Sequence, residues 1–161
     1  AWGYGSGRSE QILGDLIKEH PNQKLYAATK IPPKNRKWPS KPDFNIEDVF
    51  PAAYIVEYTE KSLTNLGIEQ IDLLQFHVWE DSWANQDDWK LAVEKLKKDG
   101  KVKHFGISVN HWEPDNVLKT LETGLIDTVQ VIYNIFDQNP EDNLFPLCKT
   151  LASAISNSGP I

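Results

Sequence analysis

The chain has 161 residues, of which 40% are hydrophobic and 25% charged, and its formal net charge is −6 at pH 7. These values are typical of one globular domain with a core, and the acidic balance argues against a nucleic-acid partner. No apolar run approaches the roughly 18 residues that cross a bilayer. The single cysteine, Cys148, excludes an intrachain disulfide, so we expect a cytoplasmic protein without a membrane partner.

Helix and strand patterns alternate along the whole chain. Five helices are predicted near residues 9–20, 51–67, 89–100, 114–124 and 144–151, and four strands over residues 24–30, 71–78, 102–108 and 127–134. Ser9 is the expected N-cap of the first helix, and Pro114 is expected to start the fourth. Such alternation implies a parallel sheet with helical crossovers. A doubly wound sheet and a (β/α)8 barrel both remain open on this pattern.

Polar side chains stand where the predicted strands end. Lys30, His77 and Ser108 close three of the strands, and Gln130 lies slightly inside the fourth. In either fold, ligands gather at the carboxyl ends of parallel strands. Taken singly, a lysine after a strand is ordinarily solvated and a histidine ordinarily structural. Their shared placement favours a functional site.

The opening residues AWGYGSGRSEQILG carry three alternating glycines. A dinucleotide-binding loop would need G-x-G-x-x-G directly after a strand, whereas the spacing here is G-x-G-x-G and no strand is predicted before it. We therefore interpret Gly3, Gly5 and Gly7 as a tight turn that presents Tyr4, not as a phosphate-binding loop. Near an ammonium such as that of Lys30, a phenol releases its proton more readily.

Five motifs in this order resemble the aldo-keto reductase family. YGSGRSEQILG is similar to the stretch after the family's second barrel strand, and ATK (28–30), IDLLQFH (71–77), GISVN (106–110) and VQVIYN (129–134) resemble the ends of its third to sixth strands. The resemblance implies an incomplete (β/α)8 TIM barrel with about four parallel strands and five helices. Residues 1–149 would form the partial barrel and residues 150–161 a divergent tail.

The resemblance also implies a reaction, the reduction of an aldehyde or ketone to an alcohol by NADPH without a metal. Tyr4 would be the general acid that protonates the carbonyl oxygen, Lys30 would lower the pKa of that phenol, and His77 would orient the carbonyl group. Trp79 follows His77 by two residues and is expected in the substrate pocket. The expected partner is thus a small carbonyl compound.

Four further residues correspond to the family's NADP site. By resemblance, Ser108 and Gln130 hold the carboxamide of the nicotinamide ring, and Tyr133 lies near the cofactor. Many family members have an asparagine directly after the serine, whereas this chain has Val109 there and Asn110 one place later. Asn110 is therefore included as a candidate cofactor residue.

Two departures from the family pattern predict a truncated protein. The family's Asp-Thr pair would fall before Ala1, and the final residues LASAISNSGPI lack the expected apolar seventh strand. We expect a piece of a longer reading frame without the first, second, seventh and eighth strands. Its open sheet edges would favour self-association, with marginal stability and little turnover. The alternative is a non-catalytic barrel fragment, or a binding or regulatory subunit derived from the family.

Overall fold

The chain folds into alternating helices and strands, as the sequence pattern predicts. The computed structural model describes residues 2, 4–110 and 112–157; Gly3 and the last four residues of the predicted tail lie outside that description. In chain order the elements are α1 (Arg8–Glu19), β1 (Ala28–Ile31), α2 (Ile46–Val49), α3 (Ala52–Leu66), β2 (Ile71–Phe76), α4 (Asp87–Lys98), β3 (Val102–Ser108), α5 (Leu118–Leu121), β4 (Thr128–Val131), α6 (Leu144–Leu151) and β5 (Ala154–Asn157). Within the described ranges, no helix combines the length and apolar character needed to cross a membrane.

All five strands are parallel and form one sheet in the order β1-β2-β3-β4-β5. A doubly wound sheet reverses its strand order at a switch point, and this sheet does not. The sequential order is that of consecutive strands of a (β/α)8 barrel. The predicted incomplete barrel is therefore confirmed, with five strands where the sequence predicted about four.

The additional strand, β5, lies in the segment where the sequence predicts none. It pairs in parallel with β4, and the Asn157 side chain extends this pairing along the main chain. The Asn157 Oδ1 accepts from the Tyr133 N–H at 3.1 Å, and the Asn157 Nδ2 donates to the Tyr133 carbonyl at 2.8 Å. Main-chain and amide hydrogen bonds hold the strand, so it forms without the apolar run that predicts a buried strand.

The N-cap of the first helix lies two residues earlier than predicted. Its N-cap is Gly7, with φ of 94°, and not Ser9, which lies inside the helix. The Gly7 carbonyl accepts the N–H groups of Glu10 at 3.0 Å and Gln11 at 3.2 Å. Glycine adopts positive φ at little cost, so the turn continues directly into the helix without a hydroxyl cap.

The helix predicted to start at Pro114 is also shorter than expected. Pro114 lies in a turn, and α5 begins only at Leu118. The Asp81 carboxylate, from the loop after β2, accepts the N–H groups of Lys119 at 2.9 Å and Thr120 at 2.8 Å. A side chain from another part of the chain therefore caps this helix, which a local sequence pattern does not reveal.

The core packs between the sheet and the helices that cover it. Phe76, the last residue of β2, is fully buried, and its ring centroid lies 4.4 Å from that of Phe50, 4.8 Å from that of Phe105 and 5.1 Å from that of Trp79. Close packing of this kind holds side chains in single positions. Since His77 follows Phe76 directly, this aromatic cluster also anchors the end of the strand that carries His77.

Candidate active site

The predicted catalytic residues come from three places in the fold: Tyr4 from the turn before α1, Lys30 from β1, and His77 from the end of β2. His77 follows β2, and its N–H donates to the carbonyl of Ile31 at 3.1 Å. Ile31 is the residue after Lys30, so this main-chain hydrogen bond fixes the ends of β1 and β2 against each other. The ring centroids of Tyr4 and His77 are 6.2 Å apart. The structure thus brings Tyr4 and His77 together at the carboxyl edge of the sheet, next to the strand that carries Lys30.

The turn that presents Tyr4 has an unusual backbone. Gly5, Ser6 and Gly7 have φ values of 66°, 49° and 94°, all in the left-handed region. The N–H of Arg8 donates to the Gly5 carbonyl at 3.0 Å and closes the turn. Glycine is favoured where φ is positive, so two of the opening glycines serve the backbone geometry. Tyr4 itself is 63% exposed.

Burial changes the acidity of both the imidazole and the amine. The pKa of His77 is lowered to about 4, first by burial and then by the nearby Lys30 ammonium. Burial also lowers the pKa of Lys30. The His77 ring is therefore neutral at pH 7 and can donate one hydrogen bond without carrying charge. Its Nδ1 is buried and has no hydrogen-bond partner in the part of the chain that the structure describes.

A cavity of about 350 Å³ opens at the carboxyl ends of β2 and β3. Its lining includes three polar side chains and three indole rings: His77, Ser108, Asn110, Trp38, Trp79 and Trp112. The Trp38 ring meets the His77 ring edge-on, with centroids 5.8 Å apart. No sequence signal marks Trp38 or Trp112 as a site residue, because each lies in a loop whose course only the folded chain reveals. The cavity suits a small, partly apolar molecule with one polar group.

Trp79 lines this cavity but is only 2% exposed. Its ring stacks on that of Phe76 at 5.1 Å, and its Nε1 donates to the Thr120 hydroxyl at 2.8 Å. Trp79 was predicted to be a loop residue at the substrate pocket. The structure shows a core residue with one surface at the cavity wall, because the loop after β2 folds back over the aromatic cluster.

The four predicted cofactor residues have different surroundings. Ser108 and Gln130 are register partners on β3 and β4, so their side chains project from the same face of the sheet. Asn110 lines the cavity next to Ser108, and its Oδ1 accepts from the Trp112 N–H at 3.4 Å. Tyr133 lies apart: its hydroxyl donates to the Glu141 carboxylate.

A hydroxyl and a side-chain amide fit the carboxamide of a nicotinamide ring. That carboxamide has a carbonyl oxygen that accepts and an NH2 group that donates, and a serine hydroxyl with a glutamine amide can pair with both groups. Ser156 on β5 is the register partner of Gln130 and extends this polar row. No sequence pattern predicts a strand around Ser156, because residues 154–157 carry no apolar run. Among residues 2, 4–110 and 112–157, no group of three His, Cys, Asp or Glu side chains could hold a metal ion.

Comparison with known proteins places this geometry in context. A family model described as the Aldo/keto reductase family matches residues 1–161. The uncharacterized oxidoreductase YqkF of Bacillus subtilis (strain 168) is 31% identical over 160 residues, which are 98% of this chain and 49% of that protein. The glycerol dehydrogenase of Gluconobacter oxydans superposes with a TM-score of 0.75 at 29% identity, covering 98% of this chain and 46% of that one.

A third similar protein shows the same fold at lower identity. The aldo/keto reductase of Klebsiella pneumoniae, solved with NADP and acetate, superposes with a TM-score of 0.71 at 22% identity, covering 96% of this chain and 49% of that one. The chain spans about half the length of the curated relatives it matches.

Proposed function

This chain belongs to the aldo/keto reductase family, and we propose that its carboxyl-edge site reduces an aldehyde or ketone to an alcohol with hydride from a nicotinamide cofactor. The observation that carries the proposal is the 6.2 Å separation of the Tyr4 and His77 rings beside the cavity that His77 lines. A phenol, an uncharged imidazole and a half-buried ammonium on adjoining segments are suited to moving one proton to one oxygen.

The proposed chemistry divides between the cofactor and this chain's side chains. When bound, reduced nicotinamide would supply a hydride to the carbonyl carbon. The carbonyl oxygen gains negative charge and takes the proton of the Tyr4 hydroxyl, which leaves a phenolate. The Lys30 ammonium stabilises that phenolate, and the neutral His77 ring donates a hydrogen bond that orients the carbonyl oxygen. One hydride and one proton convert the carbonyl to the alcohol.

Ser108 and Gln130 are the proposed partners of the nicotinamide carboxamide. Their pairing across β3 and β4 supports this role, and Asn110 and Tyr133 are the further candidates for contact with the cofactor. We propose NADPH as the cofactor, as the family resemblance implies. We also propose a cytoplasmic location, which the single, buried Cys148 thiol supports.

Fluorescence titration with NADPH tests cofactor binding, because Trp38 and Trp112 line the cavity. We expect saturable quenching by NADPH, weaker quenching by NADH, and a loss of NADPH affinity in Ser108→Ala. We expect Tyr4→Phe to bind NADPH like the unmodified chain and to lose aldehyde reduction. Tyr26→Phe is the matched control, since Tyr26 is exposed and lies outside the proposed site.

The outcomes separate the enzyme from the alternative function. Binding with turnover that depends on Tyr4 supports a reductase. Binding without turnover in any variant supports a non-catalytic binding or regulatory subunit. Absence of NADPH and NADH binding by a folded chain contradicts both assignments of the site.

We further propose that the chain associates through its sheet edges and has little turnover by itself. In the described residues, β1 and β5 each pair with one strand only. Unpaired strand edges bind other strands, and Ile155 on β5 is an exposed apolar side chain. This open sheet supports the second candidate function, a non-catalytic fragment.

Sedimentation velocity at several concentrations tests this association. We expect larger species as concentration rises and a smaller, more uniform species for Ile155→Lys, because a lysine on an edge strand opposes pairing. Ile12→Lys is the matched control, since Ile12 is an exposed residue of α1. A monomer at all concentrations that melts cooperatively and reduces aldehydes at ordinary rates would contradict the proposal.

A further inference from the structure

A buried carboxylate lies behind the proposed site. Glu10, in the first turn of α1, is 1% exposed, although glutamate is rarely buried without partners. Its Oε1 accepts from the Thr29 hydroxyl at 2.5 Å and the Ser62 hydroxyl at 2.9 Å, and its Oε2 accepts from Asn65 Nδ2 at 2.9 Å. Since Thr29 belongs to β1 and the other two donors to α3, one carboxylate ties three elements together.

The contact with Thr29 leads directly to Lys30, one of the proposed proton-transfer residues. Thr29 precedes Lys30 on β1, and strand alternation places their side chains on opposite faces. The hydrogen bond from Thr29 to Glu10 therefore holds the strand from the helix side while Lys30 projects from the other side. A displacement of Thr29 would move the backbone of Lys30 with it.

The contact with Asn65 leads to the glycine turn, formed by Gly5, Ser6 and Gly7. A Cβ added at Gly7 would lie only 2.6 Å from Asn65 Nδ2, so the Asn65 side chain packs directly against the turn. Glu10 accepts a hydrogen bond from that same Nδ2 atom. Asn65 thus supports the turn that presents Tyr4, and Glu10 holds Asn65 in place.

We propose that Glu10 is a positioning residue that sets the separation between the Tyr4 phenol and the Lys30 ammonium, an inference that rests on the proposed function. An apolar side chain could fill the space of Glu10, but it would make no directional hydrogen bonds that fix the positions of β1 and α3 relative to α1. A fully hydrogen-bonded buried network does fix geometry. Here its bonds converge on β1 and on the glycine turn, the two segments whose relative position the proposed proton transfer requires.

The test compares Thr29→Val with Thr29→Ser. Valine keeps the shape of threonine and removes the donor to Glu10, whereas serine keeps the donor. The readout is the pKa of Lys30, measured from the pH dependence of its acylation by acetic anhydride with mass spectrometry, and Lys24 is the exposed internal reference. This readout needs no cofactor and no turnover.

We expect the pKa of Lys30 to rise toward its ordinary value in Thr29→Val and to stay unchanged in Thr29→Ser. The reason is that a displaced strand lets water reach an ammonium whose pKa burial now lowers. A rise of about half a pH unit would slow acylation of Lys30 about threefold at pH 8. If Thr29→Val loses thermal stability while the pKa of Lys30 stays the same, Glu10 is only structural and the proposal is overturned.

A second variant keeps the test decisive if Thr29→Val does not fold. Asn65→Ala removes the support of the glycine turn from a partly buried position. We expect it to weaken the nuclear Overhauser contacts between the Tyr4 and His77 rings, which are 6.2 Å apart. Unchanged contacts would overturn the proposal. Failure of the proposed function shows separately, as absent cofactor binding or turnover in the unmodified chain.

Discussion

Acidification is expected to destabilise the protein through His77. The folded ring has a pKa of about 4 against an ordinary value of 6.5. Between these values the unfolded chain binds a proton at His77 and the folded chain does not, so the free energy of unfolding falls as the pH falls through this window. Below about pH 4 both states carry the proton, and His77 contributes no further change.

The structure sets the size of this loss. The difference between pKa values of 6.5 and about 4 corresponds to about 3 kcal/mol for a ring that is fully shielded from water. His77 lies at a cavity mouth and is only partly buried. Solvent screening therefore reduces the expected loss to about 1–2 kcal/mol.

Denaturant unfolding at pH 7 and pH 4.5 measures this loss. His77→Gln should lose about 1–2 kcal/mol less than the unmodified chain on acidification, because the carboxylates titrate in both proteins and cancel in the comparison. His20→Gln, at an exposed position, should lose as much as the unmodified chain. Equal losses in all three proteins, or an imidazole C2–H titration of His77 with a midpoint near 6.5, would refute the reasoning.

Three further predictions concern packing. Gly14→Ala should lower the free energy of unfolding by about 1–3 kcal/mol in denaturant melts, because the alanine Cβ would lie 2.4 Å from the Leu66 carbonyl oxygen. An unchanged denaturation midpoint would contradict the close approach of α1 and α3. Thr120→Val should lower the free energy of unfolding by about 1–3 kcal/mol and shift tryptophan emission, since Trp79 Nε1 loses its acceptor. Thr120→Ser should leave the stability and the emission unchanged. Cys148 is buried with a raised thiol pKa, so its reaction with a thiol reagent should accelerate only as the chain unfolds, and rapid labelling of the folded chain would disagree with its placement.

Strands were predicted most accurately where the residues of the strand itself show its pattern. The apolar run at 71–78 identifies β2, because strands buried on both faces show continuous apolar character. The place of residues 102–108 in the helix–strand alternation identifies β3. The strand-end positions of His77 and Ser108 follow from those assignments, and that of Lys30 follows from the strand predicted over residues 24–30, where the structure has β1. The polar edge of the sheet was therefore predictable before its geometry was known.

Features that depend on distant parts of the chain were not predictable. The start of α5 depends on Asp81, which lies 38 residues before Lys119. The strand β5 depends on main-chain pairing with β4 and on the Asn157 hydrogen bonds to Tyr133, and not on an apolar pattern of its own. Trp79 follows a strand end, as many exposed loop residues do, and only the fold of the following loop buries it. Long-range contacts such as these override local propensity.

The strand order has a consequence for protein engineering. Neighbours in the sheet are also consecutive along the chain. The residues proposed for proton transfer therefore all lie within residues 4–77, and the proposed partners of the nicotinamide carboxamide lie within residues 108–130. A chimera of two family members joined near Gly100, in the turn between α4 and β3, would take its protonation machinery from one parent and its nicotinamide contacts from the other. Exchanging the nicotinamide contacts in this way would leave the acid–base residues of the first parent intact.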